Sequence, residues 1–389
     1  MAKRWAKKID TLSESMTVAV SDRARELQQR GVQVVNLGGG DPDFDTPPHI
    51  VAAAVAAIDK GLTHYVASRG IPELRKAVTG KFQRDNHVAY DPDTEVIVTA
   101  SGKLALYITL AAMLEPGDEV LYFDPAWVSY EPMIRMLGGT PAAVPLRPAD
   151  NFILDGDELK KRVSPRTKAM ILNTPNNPTG RVLTVEELDV VARSAREHGY
   201  WVLSDEIYEH IIYDRRRHIS LASLPEMRDL TVTLNGMSKA YAMTGWRLGY
   251  LGAPAPLCEQ ILKVQQHVVT CAPSFVQAAG VAALQGPQGC VAEMTAEYDR
   301  RRRFMTDALN SIPGVHCPLP EGAFYLFPEV AFQGLDSNAL AEFMIEKAHV
   351  AVTAGSAFGR AGTRNIRLTF ATSMANLRQA AEQMKAAMA

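Results

Sequence analysis

Residues 234–250 read Leu-Asn-Gly-Met-Ser-Lys-Ala-Tyr-Ala-Met-Thr-Gly-Trp-Arg-Leu-Gly-Tyr. The run 230–234 carries a strand up to Asn235 and Gly236. Lys239 then stands among small or apolar neighbours, Met237, Ala240, Ala242 and Met243. Burial in such surroundings penalises the ammonium form and lowers the proton affinity of the lysine. The neutral amine is then free to attack a carbonyl carbon and form a Schiff base. A second strand leads through Trp246 to Leu251. Arg247, near its start, offers a permanent charge and a fork of donors for phosphate oxygens. An ordinary surface lysine followed by a structural arginine would write the same letters.

Other segments repeat the pattern of an apolar strand ending in polar residues. Residues 95–100 lead into Ser101-Gly102-Lys103, which opens a helix over 104–114. A helix N-terminus is a ready anion site, although Ser101 also suits plain capping. A Walker loop is excluded, because Ile97 and Leu104 stand where glycine and Ser/Thr belong. Residues 119–123 lead to Trp127, whose flat ring suits stacking or simple burial. Residues 167–172 end in Asn173-Thr174-Pro175-Asn176-Asn177-Pro178-Thr179-Gly180, a loop held by its prolines and glycine. Residues 200–203 run into Ser204-Asp205-Glu206-Ile207-Tyr208. A buried carboxylate at Asp205 requires a partner, and a protonated pyridine nitrogen is one; Glu206 reads as structural. Asn177, Asp205 and Lys239 each follow the C-terminal end of a separate strand, the edge where open α/β sheets gather their active sites.

A lysine for an imine, an arginine for a phosphate and a carboxylate for a pyridinium suggest pyridoxal 5′-phosphate as cofactor. The chain also resembles the class I aminotransferases, fold type I pyridoxal-phosphate enzymes in which a Ser-Lys pair precedes Gly-x-Arg, as Ser238-Lys239 precedes Gly245-Trp246-Arg247. The likeness is most detailed to the bacterial and archaeal-type aspartate aminotransferase branch and runs from about Ser13 to the C-terminus. It implies an α/β fold: a large domain over 48–285 with a mostly parallel seven-stranded sheet, and a smaller α/β domain from 1–47 and 286–389. It implies that Lys239 forms the Schiff base and moves the Cα proton, with Asp205 at the ring nitrogen and Asn177 and Tyr208 at the 3′-oxygen. Trp127 would stack on the ring, and Ser101, Gly102, Lys103, Ser238 and Arg247 would gather at the phosphate. Gly40, in the loop Gly38-Gly39-Gly40-Asp41-Pro42-Asp43-Phe44, would border the substrate together with Trp127 and Asn177. Arg367 points away from Ile366 and Leu368 in its strand and suits an α-carboxylate. Tyr65 matches a residue that crosses to the other subunit's phosphate, implying a homodimer. Gly236 departs from the family, whose members often carry serine or threonine there. One phosphate hydroxyl would then be missing and cofactor affinity reduced.

With 389 residues the chain is too long for a single core, so two domains are expected. A formal net charge of −2 gives no electrostatic reason for a nucleic-acid or anionic-membrane partner. Four cysteines, Cys258, Cys271, Cys290 and Cys317, show no metal or disulfide spacing. No metal is expected. Residues 1–10 are basic but lack the apolar core of a signal peptide, and no run approaches a membrane span; a cytoplasmic protein is expected. Arg300 to Arg303 would splay around a helix over 289–312 beside Glu293, Glu297, Asp299 and Asp307, forming a solvated or interface face.

The expected reaction moves an amino group between an amino acid, aspartate or glutamate, and a 2-oxo acid. Lys103 carries that substrate expectation, as a second cation besides Arg367 for a second carboxylate, with the Thr17-Val18 pair lining the distal pocket. Ser13 stands where a prephenate-using group carries a lysine. The alternatives are an aminotransferase of aromatic, aliphatic or broad specificity, with Lys103 merely neutralising the phosphate, or a β-eliminating C–S lyase on the same scaffold. A non-enzymatic pyridoxal-phosphate-binding regulator is a further rival.

Overall fold

Helix α1 (Met16–Gln29) buries Ala24 and Leu27 against Val34 and Ala351, and strand β1 (Val35–Asn36) follows it. The computed structural model describes Ala6, Ile9, Asp10, Leu12, Glu14 and residues 16–389; Ser13 lies outside the described residues. Helices α2 (Pro48–Asp59) and α3 (Pro72–Lys81) both start on a proline, whose missing N–H costs nothing in the first turn.

An alternation of strand and helix follows: β2 (Val96–Thr99), α4 (Gly102–Met113), β3 (Glu119–Asp124), α5 (Tyr130–Met136), β4 (Thr140–Pro145), α6 (Gly156–Arg162), β5 (Thr167–Asn173), α7 (Val185–His198), β6 (Trp201–Asp205), β7 (Thr231–Gly236) and β8 (Gly249–Gly252). Local chemistry sets the boundaries of α7. Thr184 and Glu187 form a reciprocal capping box, and Gly199 stops the helix at φ 71°.

The seven strands form one sheet in the order β2-β8-β7-β6-β5-β3-β4. Only β8 runs against the rest, since it pairs antiparallel with both β2 and β7. The C-terminal ends of β2, β3, β5, β6 and β7 therefore share one edge. Register brings them side by side: Asn173 lies opposite Asp205, Asp205 opposite Leu234, and Gly249 opposite both Gly236 and Thr99.

Helices α8 (Ala255–Val268), α9 (Ser274–Gln285) and α10 (Gly289–Asn310) lead to β9 (Val315–His316), β10 (Tyr325–Leu326), β11 (Glu329–Val330), α11 (Ser337–Lys347), β12 (Val350–Ala351), β13 (Thr353–Ala354), β14 (Ile366–Thr369) and α12 (Met374–Met388). A three-stranded antiparallel sheet, β10-β14-β13, anchors this smaller α/β part. The N-terminal segment joins it, because β1 pairs in parallel with β12.

In the run 32–37 only Val35 and Asn36 pair as a strand. Two expectations change. The strand expected from Trp246 begins at Gly249, since Arg247 has φ 56°, a left-handed value that no strand holds. The arginine run is not a solvated face throughout: Arg301 and Arg302 are buried. Arg301 Nη1 donates to both carboxylate oxygens of Asp43, at 2.7 and 2.9 Å, and Arg302 reaches Asp299 at 2.6 Å and Asp214 at 2.7 Å. Among the described residues the four cysteines are free, and no helix is long and apolar enough to cross a membrane.

Candidate active site

The shared strand edge opens into a cavity of about 330 Å³, within the range of small-molecule sites. Lys239, Asp205, Tyr208, Asn177, Trp127, Ser101, Gly102, Lys103, Ser238, Arg247, Gly40, Arg367 and Thr17 all line it. Tyr65 does not; it stands 85% exposed on the surface. Val18, paired with Thr17 in the sequence argument, is likewise exposed.

One corner is built for an anion. The N-terminus of the 12-residue α4 faces the cavity, with Ser101 at φ 114° accepting from Leu104 N–H at 3.2 Å. Helix capping and presentation of the neighbouring N–H groups thus coexist. Arg247 lies in the same wall, one guanidinium N–H donating to Thr244 O at 2.8 Å. Gly249 sits against Ser101 and Gly102 so closely that any Cβ would collide with their backbone, which draws the Arg247 loop and α4 together. Gly236 has a steric reason of its own. A Cβ there would stand 3.0 Å from Leu248 O and 3.3 Å from Gly249 Cα, so a serine or threonine has little room.

Deeper in, Asp205 ends β6. Burial raises its carboxyl to about 6, against the 2.6 Å bond donated by Tyr130 Oη and a weaker one from Ile207 N–H. Lys239 Nζ donates to Gly40 O at 2.5 Å. Burial lowers its amine to about 8, helped by Arg367 and Arg247 and opposed by Asp41 and Asp205. Lys81 is more completely buried, yet it lies outside the cavity wall, ion-paired with Glu209. Lys239 is therefore the buried amine that a ligand in the cavity can meet.

Arg367 projects from β14 beneath Tyr325 and Phe358, its guanidinium 4.4 and 4.8 Å from their ring centroids. It donates to Asn177 Oδ1 at 3.2 Å and Gly38 O at 2.6 Å, while its buried Nε has no hydrogen-bond partner among the described residues. Arg364, its neighbour in sequence, instead pairs with Glu329 at the surface. Asn177 is held in turn by Asn173, which accepts its N–H at 2.9 Å and donates to Asp205 O at 2.9 Å. Tyr208 and Tyr325 share a 2.9 Å hydroxyl contact. Lys103 Nζ stands 4.8 Å above the Trp127 ring; burial, then Arg247, lowers its pKa.

Sequence reasoning did not assign Tyr130, Asn173, Asn235, Tyr325, Asp41 or Thr244, all of which line the cavity. Tyr130 had a legible signal, one helical turn beyond Trp127. Asn173, Asn235 and Tyr325 stand on strands and Asp41 and Thr244 on loops, brought together from distant parts of the chain.

An amine, a carboxylate, a flat aromatic and an anion corner in one cavity suit the aldehyde, ring nitrogen, ring face and phosphate of pyridoxal phosphate. Fold and site thus define a pyridoxal-phosphate enzyme of fold type I. The sequence pattern of the family described as "Aminotransferase class I and II" matches residues 32–384. The chain is 44% identical to an aspartate aminotransferase of Musicola paradisiaca, over 95% of this chain and 92% of that protein. It is equally 44% identical to an aromatic-amino-acid aminotransferase of Thermococcus litoralis, over 96% and 97%. The solved aspartate aminotransferase of Thermus thermophilus with maleate superposes with a TM-score of 0.95 at 39% identity, covering 99% of this chain and all of that one. The chain belongs to the class I and II aminotransferases and carries out their pyridoxal-phosphate-dependent chemistry.

Proposed function

We propose that the enzyme prefers aspartate and glutamate as amino donors, with 2-oxoglutarate or oxaloacetate as acceptor. The observation that carries this is the pair of cations, Arg367 and Lys103, that line one cavity besides the Lys239 amine and the Arg247 of the anion corner. A four- or five-carbon dicarboxylate has one carboxylate for each. Equal identity to an aspartate and an aromatic enzyme leaves the choice to these residues.

Pyridoxal phosphate, when bound, supplies the electron sink for the pair released at Cα. Lys239 would supply the amine that holds its aldehyde end and would take the proton from the substrate Cα. Asp205 would hold the proton on the ring nitrogen, Tyr208 and Asn177 would donate toward the 3′-oxygen, and Trp127 would cover one ring face. Ser101, Gly102, Ser238 and Arg247 take the phosphate. Arg367 orients the α-carboxylate, and Gly40 and Thr17 bound the substrate space, with Lys103 at the distal carboxylate. Residues 48–285 form the cofactor-binding unit, and 1–47 with 286–389 the smaller one. Tyr65, exposed and outside its own chain's cavity, completes the phosphate site of a second copy in a homodimer. Free cysteines favour a reducing, cytoplasmic setting.

Rates across acidic, aromatic, branched and small donors test the substrate assignment. Aspartate and glutamate should lead in kcat/KM. A preference for phenylalanine or alanine over aspartate would overturn it. Mixing Lys239→Ala with Tyr65→Phe chains tests the shared site, which fails if activity never exceeds that of Tyr65→Phe alone.

A further inference from the structure

Two carboxylates outside this mechanism adjoin residues within it: Glu206 follows Asp205, and Glu209 follows Tyr208. Both are buried. Lys81, at the end of α3, forms an ion pair with Glu209 and donates to Asn86 Oδ1 at 2.6 Å. The Asn86 amide bridges the two acids, 3.0 Å from Glu206 Oε2 and 2.7 Å from Glu209 Oε2. Glu209 Oε1 also accepts from Asn235 Nδ2 at 2.6 Å, and Asn235 Oδ1 accepts the Gly236 N–H at 2.7 Å. One line of contacts therefore runs from Lys81 to the end of β7, just ahead of Ser238 and Lys239.

Glu206, Glu209 and His218 also lie close enough together to resemble a metal-ligand group. The Lys81 ammonium already supplies a cation on Glu209, so the cluster reads as an ion-pair network. Stability alone is a weak reason for such a network, because apolar side chains of similar volume often replace a buried ion pair without loss. A unique geometry is the better reason, and here the geometry ends on a residue of the cavity wall, Asn235.

We propose that Glu209 is a positioning residue: oriented by Lys81, it holds Asn235 and thereby fixes the end of β7, three residues ahead of Lys239. This rests on the assignment of Lys239 made above.

The test uses the full-length, cofactor-loaded enzyme. Lys81→Met/Glu209→Leu removes both charges at once and leaves neither one stranded. We expect kcat about tenfold lower with KM changed less than threefold, and a shift of half a pH unit or more in the midpoint of the visible absorption band. Adding Asn235→Ala should lower kcat by less than a further twofold, since both changes break one line. Wild-type kcat and band midpoint in the double variant, whatever its melting temperature, overturn the proposal, as does a multiplicative loss on adding Asn235→Ala. Should the double variant not fold, Glu209→Gln decides in its place, and an unchanged kcat and midpoint there overturn it equally. A wild type that shows no visible band with pyridoxal phosphate would instead sink the Lys239 assignment.

Discussion

Tyr130 Oη donates a 2.6 Å hydrogen bond to Asp205 Oδ2, so the carboxylate that faces the cavity is oriented by a residue of the first turn of α5 that lines the same cavity. Asp205 is pulled two ways: burial raises its pKa to about 6, and the Tyr130 bond opposes that rise. Tyr130→Phe removes the donor and keeps the ring. The carboxyl then titrates higher, and less of it is ionised near neutral pH. The acid limb of the kcat/KM profile should move to higher pH. Hydrogen bonds to charged groups contribute about 1.5–3 kcal/mol, so the rate at neutral pH should fall by about tenfold to a hundredfold. An unmoved acid limb would contradict this role.

Lys239 supports a prediction about pH in the cofactor-free protein. Its amine is lowered from 10.5 to about 8, first by burial and then by the charges of Arg367 and Arg247. Below that value it carries a proton and has no lone pair to offer; above it the neutral nucleophile predominates. The rate of cofactor capture, followed by stopped-flow absorbance, should rise through a midpoint near 8. Asp41 opposes the lowering, so Asp41→Asn should bring the midpoint lower still. A midpoint near 10 in wild type would show that the amine is ordinary.

Gly236→Ser tests whether a hydroxyl at this position would serve the cofactor. Were the missing hydroxyl the issue, serine would tighten cofactor binding. The backbone around Gly236 argues otherwise, with Leu248 O 3.0 Å and Gly249 Cα 3.3 Å from the position of a new Cβ. Overpacking of this kind costs about 1–3 kcal/mol. The variant should melt at a lower temperature and hold its cofactor no more tightly than wild type by equilibrium dialysis.

Strand ends were the legible part of this site. Asn177, Asp205 and Lys239 each stand just past an apolar run, and a parallel sheet brings such ends to one edge, as the pairing of Asn173 with Asp205 and of Asp205 with Leu234 shows. Alternation set Arg367 on the face opposite Ile366 and Leu368, but the family resemblance, not the alternation, selected it over Arg364. What could not be read was side-chain pairing across the fold. Nothing in the letters links Tyr130 to Asp205, Tyr208 to Tyr325, or Lys81 to Glu209, because each pair is made by tertiary packing. The arginine run misled for the same reason: Asp43 and Asp214, the partners that allow Arg301 and Arg302 to be buried, lie far away in sequence.

Lys103 is where specificity is most exposed to test. It follows Ser101-Gly102 at the start of α4, so the helix fixes its Cα beside the anion corner while its stem reaches along Trp127. Burial and the nearby Arg247 both lower its pKa, and such a cation gains from an added carboxylate. In Lys103→Ala a dicarboxylate loses a charge-assisted partner, and an aromatic donor loses none. Loss of that bond costs about 1.5–3 kcal/mol, so kcat/KM for aspartate should fall about tenfold to a hundredfold. For phenylalanine it should change by less than about threefold. The ratio of the two rates is the measurement, since any general damage to cofactor binding lowers both alike. A parallel fall for both donors would make Lys103 a phosphate neutraliser and leave the distal carboxylate to another residue.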